Sequence, residues 1–189
     1  MTKRPMTTVV DTSPDIKLIA RYGPSPADQV IIVDVKHQKL HLFKAGKCIH
    51  TWDVSTASRG VGNCNNSLQT PLGMHRIAEK IGALCPANTI FTARQDTGQL
   101  ATIFSQACPS GEDLVTSRIM WLRGVEDGYN LNGDVDTFQR YIYIHGTHEE
   151  GLIGTPASHG CIRMRNDDII DLFEYIDVDT LVYITDSDI

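Results

Sequence analysis

The chain has 189 residues, 41% of them apolar and 21% charged, enough for one domain that builds its own core without disulfides or a structural metal. Its formal net charge of −6 and the scatter of its 17 basic residues exclude the electrostatic footprint of a nucleic-acid or acidic-lipid binder. The five cysteines, Cys48, Cys64, Cys85, Cys108 and Cys161, form an odd set with no CxxC pair, which argues against a disulfide framework and for a reducing compartment.

Residues 1–28 are polar and carry Pro5, Pro14, Pro24 and Pro26, a composition that predicts an N-terminal tail or arm ahead of a single catalytic domain over 29–189. Charges and prolines interrupt this stretch before any run of signal-peptide length develops, so a cytoplasmic location is expected, with a periplasmic one if a leader precedes the sequence. VIIVDV (30–35), KLHLF (39–43) and CIHTWDVST (48–56) read as a β-meander. The Gly-, Asn-, Ser- and Pro-rich stretch 57–73 reads as a long loop before a strand at 74–81. Residues 83–136 hold short apolar runs, of which IMWLRG (119–124) is the best strand, and part of this region is expected to form a lid.

YIYIH (141–145) is a strand of β-branched and aromatic residues ending on His145, and a Gly-rich loop runs from there to Cys161. Asn166 has the chemistry of a helix N-cap, Asp167 and Asp168 suit a helix N-terminus, and Ile169, Ile170, Leu172, Phe173 and Ile176 fall on one helical face. TLVYI (180–184) reads as a closing strand. The predicted fold is mostly β, sandwich- or barrel-like, with one packed helix near the C-terminus.

A cysteine attacks a carbonyl as thiolate and needs a base or a positive field to become one. The loop between His145 and Cys161 is long enough to bring the imidazole to the sulfur as general base and later acid. Gly160 lets a substrate backbone approach and leaves the Cys161 N–H available to an oxyanion. His159 supports from two residues before, and Arg163, two residues after, has the fork to hold a carboxylate or to raise the thiolate fraction through its charge.

IHGT (144–147) followed by SHGCIRM (158–164) resembles the L,D-transpeptidase family of the YkuD type, and VSTASRG (54–60) and TPLG (70–73) resemble its upstream segments in the same order. The resemblance covers residues 30–185, with two departures: Ala57 stands for the usual glycine and His75 for a frequent aromatic. It implies a β-rich domain in which Cys161 attacks the carbonyl of the third stem-peptide residue, a diamino acid, and expels terminal D-Ala. His145 is then the base, oriented through the carbonyl of Gly146, with His159 and Gly160 in the catalytic set and Arg163, Ser158 and Thr147 binding substrate. The implied partner is a peptidoglycan tetrapeptide or muropeptide, with no nucleic acid or membrane partner, no cofactor and no metal. Water resolving the acyl-enzyme gives an L,D-carboxypeptidase of muropeptide recycling, the favoured expectation. An amine gives a transpeptidase that forms cross-links or attaches lipoprotein.

Two other classes compete. His145, His148, His159 and Cys161 have zinc-ligand chemistry, though without the tight paired spacings of structural sites. A non-enzymatic peptide-binding module would keep the cleft without needing a reactive thiol. Papain-like and NlpC/P60 hydrolases are set aside because they place the cysteine before the histidine. The Glu149-Glu150 pair reads as a solvated loop, and His37, His41, His50 and His75 as packing or surface residues.

Overall fold

The structure is a computed structural model and describes residues 19–188. The predicted tail therefore lies outside the described residues as far as residue 18. Its remainder folds back on the sheet: Ile19 is buried against Ile32, Met74 and Leu181, Tyr22 donates to Glu126 at 2.5 Å, and Arg76 donates to the carbonyls of Tyr22 and Pro24.

The β-rich runs become strands β1 (Gln29–Asp34), β2 (Lys39–Lys44), β3 (Lys47–Asp53), β4 (Gly73–Ile81), β5 (Thr89–Thr92), β6 (Gln95–Leu100), β7 (Val115–Gly124), β8 (Tyr143–Thr147), β9 (Ile162–Met164) and β10 (Leu181–Thr185). They join in one hydrogen-bonded sheet ordered β3-β2-β1-β10-β4-β7-β5-β6, with β8 paired to β7 and β9 paired to β8. Among the described residues the expected mostly-β architecture with a single packed helix is what forms. The β5-β6 hairpin was not legible in the sequence: β6 is QDTGQL, exposed along its whole length, and supplies neither apolar alternation nor β-branched density.

Among these strands only β1–β10 and β8–β9 pair in parallel. A parallel pair needs a crossover of a dozen or more residues, and the stretch 148–161 provides it without an α-helix. The Gly-rich loop thereby returns the chain beside β8, so that β9 begins next to the strand carrying His145. β7 is the branch point. Ile119 pairs with Ile81 of β4 on one edge and His145 of β8 on the other, and a register break near Ser117 (φ 61°) marks a bulge beside the site.

Helix α1 (Asn166–Tyr175) buries Ile169, Leu172 and Phe173 against Met120, Ile144 and Ile162. Each such fully buried side chain contributes about 1.5–3 kcal/mol. At its C-terminal end Lys80 donates to the carbonyls of Phe173 and Ile176, satisfying groups the last turn leaves open, and lies over the Phe173 ring. At the other end the sequence reading needs correction. The N-cap is Arg165, with no side-chain cap, and Asn166 is the first helical residue, its amide turned to the site instead.

Candidate active site

β-strand alternation sorts the residues of β8 and β9 onto two faces. Ile144, Ile162 and Met164 enter the main core, whereas Tyr143, His145, Arg163 and, just ahead of β9, Cys161 share the opposite face. Parallel pairing sets His145 against Arg163 and leaves Cys161 beside Tyr143, one diagonal step from the imidazole. The structure thus brings His145, Gly146, Gly160 and Cys161 to one place.

Cys161 is half-buried, and its Sγ accepts the Tyr143 N–H at 3.3 Å while lying 3.5 Å from the Tyr141 carbonyl oxygen. Burial pushes the thiol up to about 12, against the opposing pull of the Tyr143 N–H. His145 is buried, with Nδ1 2.7 Å from the Gly146 carbonyl oxygen. A carbonyl only accepts, so this contact places the proton on Nδ1 and leaves Nε2 as a base. Burial also brings this imidazole down to about 4. Both shifts favour the neutral thiol and the neutral imidazole near neutral pH.

Gly146 and Gly160 are required by close approach. A Cβ on Gly146 would stand 2.7 Å from the Thr116 carbonyl oxygen, and Gly160, at φ 136°, would bring one to 3.1 Å from Ile142. The Gly160 carbonyl accepts from Thr70 at 3.0 Å, which ties the TPLG segment to the cysteine turn. Ser158 Oγ donates to the Cys161 carbonyl at 2.6 Å and accepts the Gly160 N–H at 3.2 Å, bracing that same turn. Thr147 accepts the Glu149 N–H at 3.1 Å. Ser158 and Thr147 are both buried, so their polar atoms serve the shape of the site.

Arg163 is 2% exposed and paired twice, to Asp113 at 2.6 Å and Glu149 at 3.0 Å, with its Nε buried and unpartnered. Asp113 also meets His159 Nδ1 at 2.6 Å. Burial raises the Asp113 carboxyl, but Arg163 and His159 outweigh it and hold the group below its ordinary value. Glu149, read from sequence as solvated loop, is instead buried. Ser110 donates to it through its N–H and hydroxyl, and with Arg163 this outweighs burial and lowers its pKa. The segment 101–114 is thus fastened over the site, helped by Phe104, whose N–H donates to the His148 carbonyl and whose carbonyl accepts from Gly151. Beneath it lies a cleft of about 680 Å³ lined by Ser58, Glu112, Asp113, Glu149, His159 and Arg163 among others.

Asp113, Glu149, Asn166 and Tyr143 were not found from the sequence as site residues. Tyr143 alone carried a signal, standing two residues before His145 in a strand and so on its face. Asn166 accepts from the Thr116 and Ser117 hydroxyls at 2.7 and 2.6 Å and donates to the Thr147 carbonyl and Glu150 at 2.8 and 2.7 Å, fixing the end of β8. The zinc alternative finds no support in these positions. His148 Nε2 meets Ser110 and His159 meets Asp113, and among the described residues no group of three or more His, Cys, Asp or Glu is arranged to hold a metal ion.

The profile of the YkuD family, the L,D-transpeptidase catalytic domain, matches residues 28–184. The chain belongs to this family of peptidoglycan enzymes. It is 45% identical over 60 residues to the putative L,D-transpeptidase YqjB of Bacillus subtilis, a stretch covering 32% of each chain. It is 48% identical over 48 residues to the probable L,D-transpeptidase YbiS of Escherichia coli K12, covering 25% of this chain and 16% of YbiS. These matches span a third or less of the relatives' own length. The fold resembles that of an L,D-transpeptidase from Mycobacterium smegmatis (TM-score 0.50, 14% identity, 84% of this chain and 59% of that one). It also resembles an LD-transpeptidase solved in complex with imipenem (TM-score 0.50, 14% identity, the same coverage of 84% and 59%).

Proposed function

We propose that the protein is a cysteine-dependent L,D-carboxypeptidase that removes terminal D-Ala from soluble peptidoglycan tetrapeptides. The observation that carries the chemistry is the placement of Cys161 and His145 on one face of two adjacent parallel strands, with the imidazole Nδ1 committed to the Gly146 carbonyl. His145 Nε2 takes the thiol proton as Sγ bonds to the carbonyl carbon of the third residue, and the Cys161 N–H is the proposed oxyanion donor. When the C–N bond breaks, the imidazolium returns the proton to the departing D-Ala amine. Water then attacks the thioester, gives its proton to His145, and releases the tripeptide and the thiol.

Water as acceptor follows from the compartment in which the substrate would be met. The cysteines besides Cys161 are unpaired, three of them exposed, which supports a reducing compartment such as the cytoplasm, where soluble muropeptides are recycled. Incubation with a disaccharide tetrapeptide, followed by mass, tests the reading. Tripeptide and free D-Ala are expected, Cys161→Ala abolishes them, and cross-linked dimers in their place would overturn the choice of water. Stoichiometric acylation of Cys161 by imipenem is expected, and its absence would favour a binding module.

A further inference from the structure

Recognition of a substrate carboxylate needs a cation near Cys161 whose donors are free. Arg163 does not supply them, because it is buried with Asp113 on one side and Glu149 on the other. Nor does Arg140. It donates to the carbonyls of Gly62, Asn63 and Gln69 and to the Ser67 hydroxyl, and is spent holding the 57–73 loop. Arg94 differs from both. It sits in the Ala93-Arg94 turn of the β5-β6 hairpin, where both residues have positive φ (48° and 68°), and this turn carries its side chain over the aromatic residues flanking the nucleophile.

Its guanidinium lies 4.6 Å from the Trp121 ring centre and 5.1 Å from that of Tyr141, and donates to the Tyr143 hydroxyl at 3.3 Å. Tyr141 and Tyr143 are the residues whose backbone carbonyl and N–H touch Cys161 Sγ. Arg94 therefore packs on the side chains of the two residues whose backbones touch the sulfur. A guanidinium has five N–H donors, of which Tyr143 takes one. Among the described residues no carboxylate stands within ion-pair distance of it, whereas Arg123 has one and Arg163 and Arg165 have two each.

We propose that Arg94 is the specificity residue that binds the terminal carboxylate of the leaving residue. The inference rests on the peptidase reading above. That carboxylate carbon is two bonds from the scissile nitrogen, so it must lie beside Cys161 in any productive complex. The stacking orients the fork and leaves its open edge for a two-pronged contact that a lysine would not reproduce. Such a contact lets the enzyme measure where the peptide ends and reject chains that continue past the fourth residue.

The test compares two tetrapeptides, one with a free terminal carboxylate and one with a terminal amide, on the wild type, Arg94→Gln and Arg94→Lys. The wild type is expected to show a KM about tenfold higher for the amide. Arg94→Gln raises KM for the acid by about tenfold, leaves kcat within about twofold, and removes the discrimination; Arg94→Lys recovers part of it. An unchanged acid-to-amide ratio in Arg94→Gln, or a fall in kcat at constant KM, would overturn the proposal. Calorimetric titration of the same peptides into Cys161→Ala and into the Cys161→Ala, Arg94→Gln pair decides it without turnover. If the wild type cleaves neither peptide, the peptidase reading fails, while the binding ratio still accepts or rejects Arg94.

Discussion

Arg163 and Asp113 form a 2.6 Å ion pair that joins the strand following the cysteine to the segment covering the site. The guanidinium is 2% exposed and the carboxylate 31%, so the pair is poorly screened on one side only. Glu149, 4% exposed, completes the charge balance from the crossover loop. The cation thus holds together three separate stretches, 101–114, 148–161 and β9.

Removing the cation is expected to cost more than removing either anion. Arg163→Ala leaves Glu149 buried without its partner, a loss of about 3–5 kcal/mol, or on the order of 10 °C in melting temperature. Asp113→Asn keeps the Arg163–Glu149 pair, so its global stability should fall by less. Its signature is local, with faster amide exchange over 101–114 in deuterium labelling. Equal destabilisation by both substitutions would show that Asp113 serves the core and not the fastening of that segment.

This network also shows what the sequence could reveal. The IHGT and SHGC segments were legible because their chemistry is crowded into adjacent residues, the strands β1, β7 and β10 because apolar β-branched runs report burial directly, and β2 because its apolar residues alternate. Asp113 was not legible, since it lies 50 residues before Arg163 in a polar stretch and only the fold makes them partners. Glu149 was misread for a related reason. Two adjacent glutamates near glycines have the composition of a solvated loop, and nothing local announces that Arg163 and Ser110 will draw one inside. Asn166 looked like a cap because Asn before an apolar helical face usually is one.

The protonation states of the pair give a kinetic prediction. With Cys161 pushed up to about 12 and His145 down to about 4, neither is charged near neutrality. Alkylation of Cys161 by iodoacetamide, followed by peptide mass spectrometry, should accelerate about tenfold per pH unit from pH 6 to 10, because only the thiolate reacts. A flat rate from pH 5 upward would instead reveal a preformed thiolate–imidazolium pair. For turnover, kcat/KM should fall only as pH drops through about 4, where His145 takes a proton and ceases to be a base.

Asn166 makes four side-chain hydrogen bonds in the buried angle between α1, β7 and β8. Asn166→Ala strands two hydroxyls and a carbonyl, at about 1–3 kcal/mol for each group left unsatisfied and buried, so a total loss of several kcal/mol is expected in urea unfolding. Asn166→Asp should also be destabilising, because it replaces the donor facing Glu150 with a second carboxylate oxygen. Both variants should lower kcat in the fraction that folds, since the Thr147 carbonyl anchors the strand end that carries His145 and Gly146. A variant with normal kcat would place Asn166 in stability alone.

The burial of His75 makes a prediction about acid stability. The ring is fully buried in its neutral form, with Nδ1 3.0 Å from the Gly73 carbonyl oxygen and Nε2 3.1 Å from the Thr137 hydroxyl. Burial, aided by nearby Arg140, lowers it to about 3. In the unfolded chain it takes up a proton below its ordinary value of about 6.5, and the folded protein does not follow until about 3. Stability must therefore fall as pH drops across that window, by about 1.4 kcal/mol per pH unit, and His145 adds the same slope down to about 4. His75→Phe removes one of the two protons, at the cost of leaving the Thr137 hydroxyl without its acceptor. Urea unfolding between pH 6.5 and 5, above the range where most carboxylates titrate, should show the slope reduced by about 1.4 kcal/mol per pH unit in the variant. An unchanged slope would mean that His75 titrates normally in the folded protein.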